Sequence, residues 1–168
     1  MPTIYDLKPR FQALLRPYAE QLVGLGVTAN QVTLAAFVMS ALVGGLIALL
    51  PWATLLLLLV PIALFARMSL NAIDGMMARE HGQASRLGAL LNELGDMASD
   101  AALYLPFALV PGLSPVLVVL AVVAALMTEG AGLAALLVGA GRRYDGPLGK
   151  SDRAVAFSLL AVLLGLGL

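Results

Sequence analysis

Apolar runs about as long as a bilayer is thick dominate this chain, and each ends at a proline, a glycine or a short polar turn. A hydrocarbon core of ~30 Å takes ~20 mostly apolar residues per helix. On that ruler the sequence predicts helices at about 30–50, 52–80, 84–110, 114–141 and 152–168. Pro51 closes the first run and His81-Gly82 separates the second from the third. Pro111, Gly112 and Pro115 separate the third from the fourth, and GRRYDGPLGKSDR parts the fourth from the fifth. Apolar residues are 61% of the 168 and charged ones 12%, more apolar surface than a soluble core of this size needs. The expected fold class is all-α, a polytopic integral membrane helical bundle.

Ahead of these runs, residues 4–23 alternate Leu7, Phe11, Leu14, Leu15, Tyr18 and Leu22 with Lys8, Arg10, Arg16 and Glu20. That pattern predicts an amphipathic helix on the membrane surface, and it is too polar for a secretory signal peptide. The domain reading is an interfacial segment at 1–26 and a membrane domain at 27–168. With no cysteine, disulfides and thiolate metal sites are excluded. Lys8, Arg10 and Arg16 precede the first run, Arg79 and Arg86 flank the turn near residue 83, and Arg142, Arg143, Lys150 and Arg153 lie in or beside the last connection. The connections at Pro51 and Pro111 carry no charge. The excess of cations predicts that the N-terminus, the 80–85 turn and the 142–153 loop face the cytoplasm, in an inner (cytoplasmic) membrane.

Within this apolar background one stretch, NAIDGMMAREHGQASRLGALLNELGD from residue 71 to 96, is polar at helical spacing. Asn71, Asp74, Gly75 and Ala78 share one helix face, and Gly88, Asn92, Asp96 and Asp100 share another. If the two helices run antiparallel about Gln83, Asn71 faces Asp96, Asp74 faces Asn92, and Ala78 faces Gly88. At ~1.5 Å rise per residue, the Asp74 level lies roughly 13 Å from the turn. Gly75, Ala78 and Gly88 clear space in which a flat group fits. Carboxylate and amide oxygens suit a hard cation such as Mg²⁺ shared with substrate phosphates, and Arg79 would complement phosphate charge. A purely structural interhelical hydrogen-bonded pair is the other reading, and it accounts for two such residues more readily than for the whole seam.

The pattern Asn71-x2-Asp74-Gly75-x2-Ala78-Arg79-x8-Gly88-x3-Asn92-x3-Asp96 resembles the D-x2-D-G-x2-A-R-x8-G-x3-D-x3-D signature of the CDP-alcohol phosphotransferases. Thr28-x-Asn30-x2-Thr33 is similar to that family's T-P-N-x2-T segment, with Ala29 in place of proline. The resemblance implies a helical membrane enzyme that moves a phosphoalcohol group from a CDP-alcohol, such as CDP-diacylglycerol, to an acceptor hydroxyl, releasing CMP. It implies Mg²⁺ or Mn²⁺ as cofactor, with metal positions at Asn71, Asp74, Asn92 and Asp96, and Asp96 as catalytic base. Gly75, Ala78 and Gly88 would admit the cytidine and Arg79 would balance phosphate charge. Membrane lipids and a homodimer are the implied partners, with no nucleic acid; six membrane helices are usual in the family, against five counted here.

Two of the family's four aspartates are Asn71 and Asn92 here. An amide offers a carbonyl oxygen to a metal but brings no charge and does not bridge two ions as a carboxylate does. One metal instead of two, compensation by another carboxylate, or lost activity are the three consequences. Asp100, one turn beyond Asp96, is the compensating candidate for the metal site, or else pairs with Arg67 or a neighbouring helix. Lys150 and Arg153 face an anionic acceptor or the CDP phosphates, or serve as membrane anchors. Glu129 bonds between helices or touches the site, and His81 is a turn residue.

Overall fold

Serine, threonine and proline mark where the helices begin. The structure, a computed structural model, describes the backbone of residues 4–137 and 149–168 and the side chains of 9–135 and 149–168. Its helices are α1 (Ile4–Gly24), α2 (Ala29–Leu49), α3 (Leu59–Glu80), α4 (Arg86–Tyr104), α5 (Pro115–Leu137) and α6 (Lys150–Gly165), and no strand occurs among the described residues. Thr28 and Gln31 form a capping box on α2: the Gln31 N–H donates to Thr28 Oγ1 (3.3 Å) and the Thr28 N–H to Gln31 Oε1 (2.8 Å). Ser85 Oγ caps α4 by accepting the Gly88 N–H at 2.9 Å. Pro115 opens α5, where a missing N–H costs nothing. Gly26, at φ 77, closes α1 with two bonds, from its own N–H to the Val23 carbonyl and from the Val27 N–H to the Leu22 carbonyl.

The expected helices over 52–80 and 84–110 are each divided. Residues Thr54–Leu58 and Leu105–Leu109 are 3₁₀ turns, one before α3 and one after α4. Pro61 and Pro106 are the cause: neither has an N–H for the carbonyl four residues earlier, so α-bonding ends beside each and the chain tightens. The expected fourth helix to residue 141, the loop 141–148 with Arg142 and Arg143, and the side chains of Leu7 and Lys8 lie outside the described residues.

Two compact units make up the chain. The first comprises Met1–Met39 and Phe65–Asp96, and the second Ser40–Leu64 and Met97–Leu168. In the first unit, Leu15 and Ala19 of α1 join Ala29 and Val32 of α2 and Ile73, Met76 and Met77 of α3 in one core. The apolar face of α1 is therefore split: Leu15 and Ala19 pack on protein, while Leu14 and Tyr18 are exposed. Ala19, fully buried, is the centre of this contact, and the bulky-residue pattern passed over it. Arg16 fastens the same helix to the end of α3 through a bidentate pair with Glu80, both bonds at 3.0 Å.

In the second unit, Ile47, Leu57, Val60, Leu103, Tyr104, Phe107, Val122 and Ala161 are buried together, and Tyr104 stacks on Phe157 with centroids 3.9 Å apart. Gly44 meets the Ala102 backbone so closely that a Cβ there would overlap the carbonyl oxygen. That carbonyl is the one Pro106 leaves without its helical donor. Neighbouring Gly45 has open space.

Polarity is inverted relative to a soluble protein. Leu34, Val38, Leu42, Ile62, Phe65, Val116, Leu120 and Met127 are exposed, whereas Asp74, Asp100, Glu129 and Arg153 are buried. Ala29–Leu49, Thr54–Glu80 and Pro115–Ala135 are long and apolar enough to cross a membrane. The other two expected spans do not meet that measure: α4 carries Glu93, Asp96 and Asp100, and α6 has 16 residues. Gly44→Ala is expected to destabilise the protein by about 1–3 kcal/mol through overpacking, and Gly45→Ala to leave it unchanged, in thermal unfolding of detergent-solubilised protein. Equal effects would show that the contact with Ala102 is unimportant.

Candidate functional site

The seam forms in the first unit, where α3 and α4 run antiparallel. Asn71 Nδ2 donates to Asp96 Oδ1 at 2.7 Å, and Asn92 Nδ2 donates to Asp74 Oδ2 at 3.2 Å. These are the two levels at which the sequence spacing pairs the helices. Each level joins one carboxylate to one amide. Two facing carboxylates at such distances would repel, whereas an amide facing a carboxylate supplies the N–H that a buried anion needs.

A third helix contributes to the Asp74 level. Thr33 Oγ1, on α2, lies 2.6 Å from Asp74 Oδ2 and 3.1 Å from the Ala29 carbonyl. Its single proton serves the carboxylate, the shorter and charge-assisted contact. Asp74 is 4% exposed and Thr33 7%, while Asn71, Asn92 and Asp96 are half-buried, so the seam opens to one side of a buried base. Two further residues hold α2 against this hairpin. Gln83, in the turn, accepts the Ala29 N–H at 2.6 Å and donates to the Val27 carbonyl at 3.4 Å. Asn30 places its Oδ1 against Gly88, where a Cβ would come within 2.7 Å of it.

The small residues have defined neighbours. A Cβ on Gly75 would lie 3.1 and 3.2 Å from the two terminal nitrogens of Arg79, so that guanidinium folds back one turn over Gly75. Gly88 lets Asn30 and Ser85 approach α4, and Ala78 packs beside the first core. Arg79 itself is exposed.

The remaining expected site residues belong to the second unit. Arg153 Nη2 donates to Glu129 Oε1 at 2.7 Å and to Asp100 Oδ2 at 3.4 Å, joining α6 to α5 and α4. All three side chains are nearly or fully buried, at 8%, 11% and 2% exposure. Asp100 is joined to a neighbouring helix through Arg153, and Glu129 bonds between helices. Arg153 is thus committed to two carboxylates, and Lys150 opens α6 half-buried. Among the described residues, no three His, Cys, Asp or Glu side chains are grouped as a metal-binding cluster. The seam's oxygen donors are therefore two carboxylates plus two amide carbonyls, a set suited to a hard cation.

Sequence reasoning placed the seam but missed three of its supports. Thr33 carried a signal, as a polar residue in an apolar run within the threonine-asparagine segment, and was given no role. Asn30 stands in the same segment and was likewise given no role, while Gln83 acts on a distant part of the chain and leaves no periodic trace. Replacing Thr33 by valine keeps the shape and removes the hydroxyl. Thr33→Val is expected to lose about 1.5–3 kcal/mol of stability in thermal melting, and Thr33→Ser to lose much less. Equal losses would mean that packing, and not the bond to Asp74, is what Thr33 supplies.

Comparison with known proteins places this geometry in context. A sequence model described as CDP-alcohol phosphatidyltransferase matches residues 26–167. The inner membrane protein YnbA of Escherichia coli (strain K12) is 52% identical over 157 residues, covering 94% of this chain and 78% of that protein. The phosphatidylinositol phosphate synthase of Corynebacterium glutamicum is 34% identical over 101 residues, 60% of this chain and 44% of its own. The archaetidylinositol phosphate synthase of Pyrococcus horikoshii is 30% identical over 103 residues, 61% of this chain and 52% of its own. The chain spans about half the length of the latter two. With three helices among the described residues long and apolar enough to span, and an inner membrane protein among its relatives, it is a membrane protein.

Proposed function

The chain belongs to the CDP-alcohol phosphatidyltransferase family, and on that premise we propose that it transfers a phosphatidyl group from CDP-diacylglycerol, or a phosphoalcohol group from a related CDP-alcohol, to an acceptor hydroxyl. The observation that carries this reading is the seam: across α3 and α4, Asp74 meets Asn92 and Asp96 meets Asn71, at the spacing of the family's signature. The two inositol phosphate lipid synthases among the relatives make an inositol phosphate the first acceptor to try.

Asp96 takes the proton of the acceptor hydroxyl as that oxygen bonds to the β-phosphorus and the bond to the leaving CMP breaks. Asn71, donating to Asp96 Oδ1, fixes the carboxylate for that transfer. Asp74, held by Thr33 and Asn92, anchors the other level. Arg79 swings from its place over Gly75 to the diphosphate, and the vacated space beside Gly75 receives the nucleotide end of the donor. Mg²⁺ or Mn²⁺ would be held by oxygens of Asp74, Asp96, Asn71 and Asn92, and when bound it neutralises the diphosphate and the departing CMP. The cations near the α3–α4 turn support a cytoplasmic site, with the donor's acyl chains left in the bilayer.

Asn71 and Asn92 favour a second reading, a family member that binds CDP-alcohols without turnover. One assay separates the two. Purified protein is expected to release CMP from a CDP-alcohol with an acceptor and Mg²⁺ or Mn²⁺, and Asp96→Ala to reduce release at least about 100-fold, as loss of a general base does. Donor binding without CMP release across a broad acceptor panel would establish the second reading. Neither binding nor release would defeat both.

A further inference from the structure

We infer that the seam takes one divalent cation per chain, its charge balanced by Asp74 and Asp96, and that Asn71 and Asn92, besides offering carbonyl oxygens to that ion, are latches whose N–H groups hold the two carboxylates in place whether or not the ion is bound. The inference rests on the phosphotransferase reading and adds an ion count and a role for two amides.

Charge sets the count. The seam carries two carboxylates and two neutral amides, a formal charge that balances a single divalent ion. Coordination leads to the same number. A carboxylate that joins two ions needs lone pairs open on both oxygens, and Asp74 Oδ2 already receives Thr33 and Asn92. Asp96 Oδ1 has one of its two lone pairs taken by Asn71, which narrows its room for bridging without closing it. Asp100, the carboxylate nearest in sequence on the same helical spacing, is engaged by Arg153 in the second unit. Among the described residues no third acidic or histidine side chain joins the pair in a metal-binding group.

The latch role follows from the donors. Each amide nitrogen faces the carboxylate opposite, at 2.7 Å and 3.2 Å, where another carboxylate would be repelled. The same seam built from four carboxylates would need cations to hold its helices together. This one is closed by its own hydrogen bonds, so its integrity does not depend on metal.

The test counts ions directly. Purified protein in detergent micelles is titrated with Mn²⁺, and the unbound ion is measured by electron paramagnetic resonance. The wild type is expected to bind one Mn²⁺ per chain, and Asp74→Asn with Asp96→Asn together to bind none, which separates this site from surface binding. The double variant Asn71→Asp/Asn92→Asp is expected to bind two, to melt at lower temperature than the wild type after chelation, and to recover on adding Mn²⁺. The wild-type melting temperature is expected to fall little on chelation. Two ions or none on the wild type would overturn the inference, as would a seam that melts only when the metal is removed. If the double aspartate variant fails to fold, the wild-type and double asparagine counts still decide. Because CMP release is not read, two bound ions with CMP release would reject this inference and keep the phosphotransferase reading. One bound ion without CMP release would do the reverse.

Discussion

Two carboxylates placed between apolar helices must be given hydrogen-bond donors, and the first unit is organised around giving them. Asp74 receives Thr33 from α2 and Asn92 from α4, and Asp96 receives Asn71 from α3. An unsatisfied carboxylate in such surroundings would cost several kcal/mol or lose its charge. The donors therefore fix more than themselves. Thr33 and Asn92 set the depth of α2 and α4 against α3, and Gln83 and Asn30 hold the start of α2 where Thr33 can reach. Arg16 and the Ala19 contact then tie α1 to this assembly.

The second unit solves a similar problem with the opposite charge. Arg153 is the buried cation, and Glu129 and Asp100 are its acceptors. Two acids around one guanidinium join three helices in an apolar setting, where removing one member strands the others. Arg153 is thereby described by what it already binds. The anionic ligand expected of it from its place near a membrane surface would have to displace a carboxylate.

Much of this was legible in the sequence, because the rules concerned are local or periodic. Apolar runs gave the helices, and Pro51, His81-Gly82 and the Pro111–Pro115 segment marked the breaks between them. An antiparallel hairpin about Gln83 gave the pairing of Asn71 with Asp96 and of Asp74 with Asn92. The failures have physical reasons. Pro61 and Pro106 carry a local signal that divides the expected helices, but the apolar run continues through both and masks it. Ala19 is too small to stand out among leucines, although a small residue is what close packing of α1 requires. The pairing of Asp100 with Arg153 is made by how α6 returns to α4, which no spacing within either helix encodes. Gln83 reaches the start of α2 across more than fifty residues, and only the folded hairpin brings them together.

Everything proposed for the site depends on Asn71 and Asp96 acting as one coupled pair across α3 and α4. A double-mutant cycle on thermal stability in the absence of divalent metal, using Asn71→Ala, Asp96→Ala and both, measures that coupling directly. The account predicts an interaction of about 1 kcal/mol or more, with the double variant losing clearly less than the sum of the two. Losses that add to within about 0.3–0.5 kcal/mol would mean that the two residues do not act together, and would contradict it.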